Sequence, residues 1–253
     1  IDRERNELIY KIRNIIKNSD NNYEYFLGGI EMISNDVISF VKKDIIIFSL
    51  LVIFLVLIIL FMIFKKIKWV FAILLTSLFS VFTMAGIAGF LNIEITAVSS
   101  NFISIMFILS TSMNIHILNN YLQSKNDLEA TIKVMFWPCF YTFLTTLVAF
   151  LSLVISDIKP VIDFGIIMIF GLIIILISAF TVLPFIISLF EKDGIKEVTI
   201  VSIVTKFINN TTKFKKIIIL VNLILFLIAI FGIINLNVEN SFIKYFKKNT
   251  EIY

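Results

Sequence analysis

The chain has 253 residues, 59% of them hydrophobic and 27 of them Phe, with a formal net charge of +4 and a mean hydropathy of +0.99. This apolar excess is far beyond what a soluble core of this size needs, and the basic residues sit in loops flanking apolar runs, which removes nucleic acid as the expected partner. A lone Cys139, itself in an apolar run, excludes an intrachain disulfide framework and supplies no metal-site spacing.

Residues 1–43 read as part of a folded extracytoplasmic domain. In "DRERNELIYKIRNII", Leu8, Ile12, Ile15 and Ile16 share one helical face, with charges on the other. "NYEYFLGG" alternates as a short strand would, ending at Gly28 and Gly29. "IEMISNDVISFVKKD" then predicts a second helix running into the membrane. Helix, strand and helix together suggest a partial α/β domain. The charged start without an initiator Met, and the polar stretch at the other end, lead us to expect a piece of a longer protein.

Runs of about 18 or more apolar residues have the length to cross a hydrocarbon core of about 30 Å. Six follow, at 45–64, 69–91, 97–120, 134–156, 161–190 and 216–236. The expected fold is therefore an all-α polytopic membrane protein, with a five-helix core over 44–190 and a sixth span at 216–236. Between them, 191–215 reads as an amphipathic helix on the inner surface, with Ile195, Val198, Val201, Val204 and Ile208 near helical spacing. Residues 237–253 would open a second extracytoplasmic segment. Lys65, Lys66 and Lys68, then Lys125 and Lys133, then the lysines of 192–216 fall in alternate loops. Those loops are expected to be cytoplasmic, leaving both chain ends outside a multi-pass cytoplasmic (inner) membrane protein.

Polar residues at membrane depth carry the functional question. At about 100° per residue, Ser100, Ser104 and Thr111 lie along one line of the third span, and Thr142, Thr145, Thr146 and Ala149 along one line of the fourth. These two lines are expected to pack on each other, since small and hydroxyl residues let membrane helices approach and hydrogen-bond. The stretch "STSMNIH" concentrates Thr111, Ser112, Asn114 and His116. Two readings stay open: a polar path for protons or ions, or helix packing with hydroxyls bonded back to their own carbonyls. His116 is the titratable residue placed well inside a span. Gly86, Gly89, Gly165 and Gly171 are candidates for close helix contact. Pro138 is expected in the first turn of its helix and Pro184 inside the fifth span. No metal cluster, paired carboxylate or nucleophile–base spacing occurs in the spans, so neither an enzyme nor a cofactor is expected.

From His116 and Tyr121 through Glu129-Ala130, Pro138, Thr145-Thr146, Phe150 to Leu153, Pro160, Phe164-Gly165, Gly171 and Leu183-Pro184, the order of residues resembles the membrane core of the resistance-nodulation-division (RND) superfamily. The similarity is to its MMPL-like and hopanoid-exporter-like branch, which is related to sterol-sensing domains. The resemblance implies the second to seventh helices of a twelve-helix RND-type exporter of lipids or other hydrophobic compounds. The partners it implies are membrane lipids and the rest of its own chain, with a homo-oligomer left open. It also places the family's buried Asp at Ser112 and the following Tyr at Met113, so the usual protonation cycle has no carboxylate there. A lipid-sensing or scaffolding module is the alternative, and a SecD/SecF-like translocation accessory a further one.

Overall fold

The computed structural model describes residues 2–18, 27–91, 93, 95–96, 99–124, 127–190 and 215–234. Its helices are α1 (Asp2–Asn18), α2 (Ile30–Phe64), α3 (Ile67–Phe90), α4 (Phe102–Gln123), α5 (Leu128–Val154), α6 (Lys159–Ser188) and α7 (Lys215–Ile234). A 3-10 turn, Ser99–Asn101, leads into α4. The chain divides into two units, residues 1–37 with 199–253, and residues 38–198.

In the first unit the expected α/β character is not found. No strand occurs among the described residues; most of the expected strand, 22–26, lies outside them, and Leu27 to Gly29 is loop. The predicted apolar face of α1 is also turned differently. Leu8, Ile12 and Ile15 are exposed, whereas Ile9 is buried, as is Met32. Arg13 on that inward side donates to the buried Asp36 at 2.7 Å. The amphipathic stretch expected at 191–215 and the polar segment at 237–253 lie outside the described residues, apart from the start of α7.

Among the described residues five helices, α2 to α6 with the 3-10 turn counted into α4, are long and apolar enough to cross a membrane. At about 1.5 Å per residue the 35 residues of α2 exceed what a bilayer needs. Its surplus is the charged N-terminal part, with Glu31, Asp36, Lys42, Lys43 and Asp44 ahead of the apolar run. The second N-terminal helix does continue into the first span without a break. Of the expected sixth span, α7 is helical over 20 residues, Lys215–Ile234.

The second unit is organised around α6, which packs against α3, α4 and α5, while α3 also packs on α4. Trp69, Met84, Phe102, Met106, Ile117, Ile167, Met168 and Ile175 fill its core. Trp69 is held edge-on by Tyr121 and Phe190, each at a ring separation of 6.0 Å, closing one end of the α3–α4–α6 group. The boundaries have local causes. Helix α2 ends at Phe64, followed by Lys65 in the left-handed region at φ 53°, a common way to stop a helix. Asp127 caps α5 by accepting from the Ala130 amide at 3.1 Å, and Glu129 accepts from Lys133 one turn on.

That cap moves one expectation. Helix α5 begins six residues before its apolar run, so Pro138 lies inside the helix and not in its first turn. Pro184 is inside α6, as expected. The glycines divide. A Cβ on Gly165 would lie 3.0 Å from the Phe150 carbonyl oxygen and 3.2 Å from Leu153 and Val154 side-chain atoms, so α6 crosses α5 there at backbone distance. Gly171 is covered by the flexible Met106 side chain. Among the described residues nothing lies within 4 Å of a Cβ placed on Gly86 or Gly89, so the close helix contact expected there is not found among them.

Gly165→Leu is expected to lower stability by about 1–3 kcal/mol through overpacking, with Gly86→Leu close to neutral. Thermal unfolding of both variants in lipid nanodiscs tests this, and equal losses would remove the close crossing at Gly165.

Candidate functional site

The polar residues of α4 separate onto two sides. On one, Ser110, Thr111 and Asn114 turn toward α3 and α6, and all three are buried. The Thr111 hydroxyl donates to Ser77 Oγ at 3.1 Å, and Asn114 Nδ2 donates to Ser77 Oγ at 3.1 Å and to Ser110 Oγ at 3.4 Å. Ser110 donates to Ser80 Oγ at 3.4 Å, and Ser80 shares a short hydroxyl contact with Ser178 of α6. Three helices are thus joined through six polar side chains with apolar layers around them. Such bonds are worth about 0.6 kcal/mol each on average in membranes, up to about 1–2, so as a set they fix the register of α3, α4 and α6.

On the other side, Ser112 and His116 line a groove of about 200 Å³ between α4, α5 and α6. Pro138, Cys139, Thr142 and Thr146 form its α5 wall, and Leu172 and Ile175 its α6 wall. The lining is mainly apolar and contains no carboxylate. Pro138 contributes in a specific way. Lacking an N–H, it leaves the Val134 carbonyl without its helical donor in this stretch of α5.

The expected pairing of hydroxyl lines between the third and fourth spans is therefore corrected. Thr111 is answered by Ser77 of α3, not by the threonines of α5. Thr142 and Thr145 are exposed, and Thr142, Thr145 and Thr146 donate back to carbonyls of their own helix, at Pro138 and Thr142, which satisfies them without a partner helix. Of the six residues singled out at the start, Thr111 and Asn114 join the buried cluster and Ser112, His116 and Thr146 meet at the groove. Thr145 is in neither. Ser77, Ser80 and Ser178 were missed. A signal existed in α3, where Thr76 and Ser80 stand four residues apart with Ser77 beside them, hydroxyls at membrane depth like those of the later spans.

Residues 2–115 match the MMPL family. The match covers α1 to α4 as far as Ile115, and includes Ser112, where the resemblance puts the family's Asp. It adds to the earlier resemblance, which rested largely on residues beyond 115, and is consistent with a fragment of an MMPL/RND-type membrane transporter. Among curated proteins none matches the chain. The MMPL match over this segment, with five membrane-length helices among the described residues, describes a multi-pass membrane protein.

Ser110→Leu, which forces an isobutyl group among Ser80 and Asn114, is expected to cost about 1–3 kcal/mol, while Thr145→Leu stays within about 0.5 kcal/mol. Thermal stability in nanodiscs measures both. A larger loss at Thr145 would restore the α4–α5 pairing.

Proposed function

We propose that this chain is the membrane part of one half of an RND-superfamily exporter of lipids or other hydrophobic compounds, working without a proton-binding carboxylate at its own relay position. The observation that carries this is the groove wall. Ser112 occupies the place of the family's Asp and opens into it with His116, and none of the lining side chains is acidic. Serine cannot change charge across physiological pH, so proton coupling in this reading belongs to the partner half of the same protein. The MMPL match supports the superfamily. The Lys-rich loops, by the preference of basic residues for the cytoplasmic side, support an orientation with both ends of the segment outside the inner membrane. The sixth span belongs to the same reading, and the work is transport, with no enzymatic step.

One feature favours a second reading. An apolar groove edged by hydroxyls and lacking a carboxylate also suits a lipid-sensing or scaffolding module, in which the groove would report lipid without driving transport.

The test is a proteoliposome assay of the full-length protein with a fluorescent phospholipid as probe and an imposed pH gradient. Proton-driven movement of the probe is expected, unchanged in Ser112→Ala. Abolition of transport in a stably folded Ser112→Ala protein would overturn the assignment of coupling to the other half. A wild-type protein that moves no probe in either direction would favour the sensing module.

A further inference from the structure

The groove between α4, α5 and α6 gathers a set of donor atoms that the transport reading does not use. The chain has one Cys, one His and seven Met. Cys139 and His116 both line this groove of about 200 Å³, and Met113 and Met135 line it with them. Helical spacing explains half of the gathering. Met113 and His116 stand three residues apart on α4, and Met135 and Cys139 four apart on α5. At about 100° per residue the members of each pair lie within about 60° of one another, on one helix face. Register explains the other half. Helix α4 ends at Gln123 and α5 begins at Leu128, so the two form a helical hairpin about a short connection. Counted from the hairpin ends, His116 and Met135 are each seven residues in, and Met113 and Cys139 are ten and eleven. At about 1.5 Å per residue all four donors fall within a slab about 6 Å deep. Met113 and Cys139 are buried, and His116 is exposed, which leaves a way in from one side.

We propose that this groove binds a soft monovalent metal ion, copper(I), through the Cys139 thiolate and the His116 imidazole, with the Met113 and Met135 thioethers completing the shell. Thiolate and thioether sulfurs select copper(I), and imidazole suits copper as well. Charge points to the same ion. No carboxylate lines the groove, and an uncompensated charge in apolar surroundings is costly. Copper(I) on one thiolate is neutral, whereas zinc(II) on the same ligands would keep a positive charge. Zinc also draws its ligands from Cys, His and carboxylates, and no group of three or more His, Cys, Asp or Glu occurs among the described residues. Calcium and magnesium need a shell of oxygens. The thioethers therefore decide both the existence of the site and its choice of ion. Binding forms a copper–sulfur bond and breaks the S–H bond of Cys139, releasing one proton to water, and copper stays in the +1 state throughout. The site stands on the groove alone and holds whether the protein exports, senses or neither.

The experiment takes the full-length protein in nanodiscs, under ascorbate and without oxygen, and titrates copper(I) against the coloured chelator bicinchoninate. The wild type is expected to withhold copper from the chelator, with sulfur and nitrogen neighbours in copper X-ray absorption. Cys139→Ser and Met135→Leu, which nearly keep side-chain volume, should each weaken this binding by about tenfold or more, and Cys139→Ser should lower the sulfur share of the spectrum. Thermal unfolding of each variant establishes that it is folded. A folded wild type that takes no copper from the chelator would overturn the proposal. So would unchanged copper binding in folded Cys139→Ser, which would put the ion elsewhere in the chain. Zinc(II) held as tightly as copper(I), and lost in the same variant, would overturn the choice of a soft monovalent ion. Because no transport is measured, failure here is distinct from failure of the exporter reading.

Discussion

In a hydrocarbon layer every polar side chain must find its partner inside the protein, and this constraint organises the helices of the second unit. Helix α4 carries Ser110, Thr111 and Asn114 on one side, and they are placed against Ser77, Ser80 and Ser178. Apolar residues alone would give α4 little preference among its neighbours, since lipid tails are as apolar as Leu. The hydrogen bonds supply that preference. They align α3 and α6 on α4, and the placing of Trp69, Met106 and Ile175 in the core follows from that alignment.

The groove is the by-product of the same choice. Once Thr111 and Asn114 turn to α3, helical geometry swings Ser112 and His116 toward α5. Helix α5 offers no hydrogen bond across the gap, because its threonine hydroxyls are satisfied within their own helix. It packs chiefly on α6, most closely at the Gly165 crossing, and to a lesser extent on α4. One helix thus has a rigid polar side and an open apolar side, a division that suits a membrane element able to keep its position while meeting changing company.

Much of this was legible in the chain and some was not. Hydropathy located five spans because hydrocarbon length is written directly into run length, and continuation of the second helix into the membrane followed from uninterrupted helix-forming residues. Helical spacing put Ser104 and Thr111 on a common line but could not say which helix answered them, because α3, α5 and α6 all carry hydroxyls. Burial decided it: Ser77 and Ser80 have no exposure, while Thr145 stays on an outer face. Pro138 was misplaced for another reason. Hydropathy marks where the hydrocarbon begins, whereas Asp127 marks where the helix begins, and the two differ by most of two turns. Ser112 was picked out by family resemblance; its presence in a groove with His116 needed the third dimension.

Pro138 gives α5 a mechanical character of its own. With one rung missing from the hydrogen-bond ladder, the helix behaves as two stiff rods joined by a softer link. The first rod is tied to the end of α4 by the contact between the Ser124 and Thr131 hydroxyls at 2.9 Å, and the second is held by the Gly165 crossing. Widening or narrowing the groove then takes a bend at the link, with both anchors kept, and does not require the whole helix to slide. The aromatic surface around that link, Phe136, Trp137 and Phe140, rides on the same joint, so bilayer thickness or lateral pressure felt by those rings would be transmitted to the space beside His116.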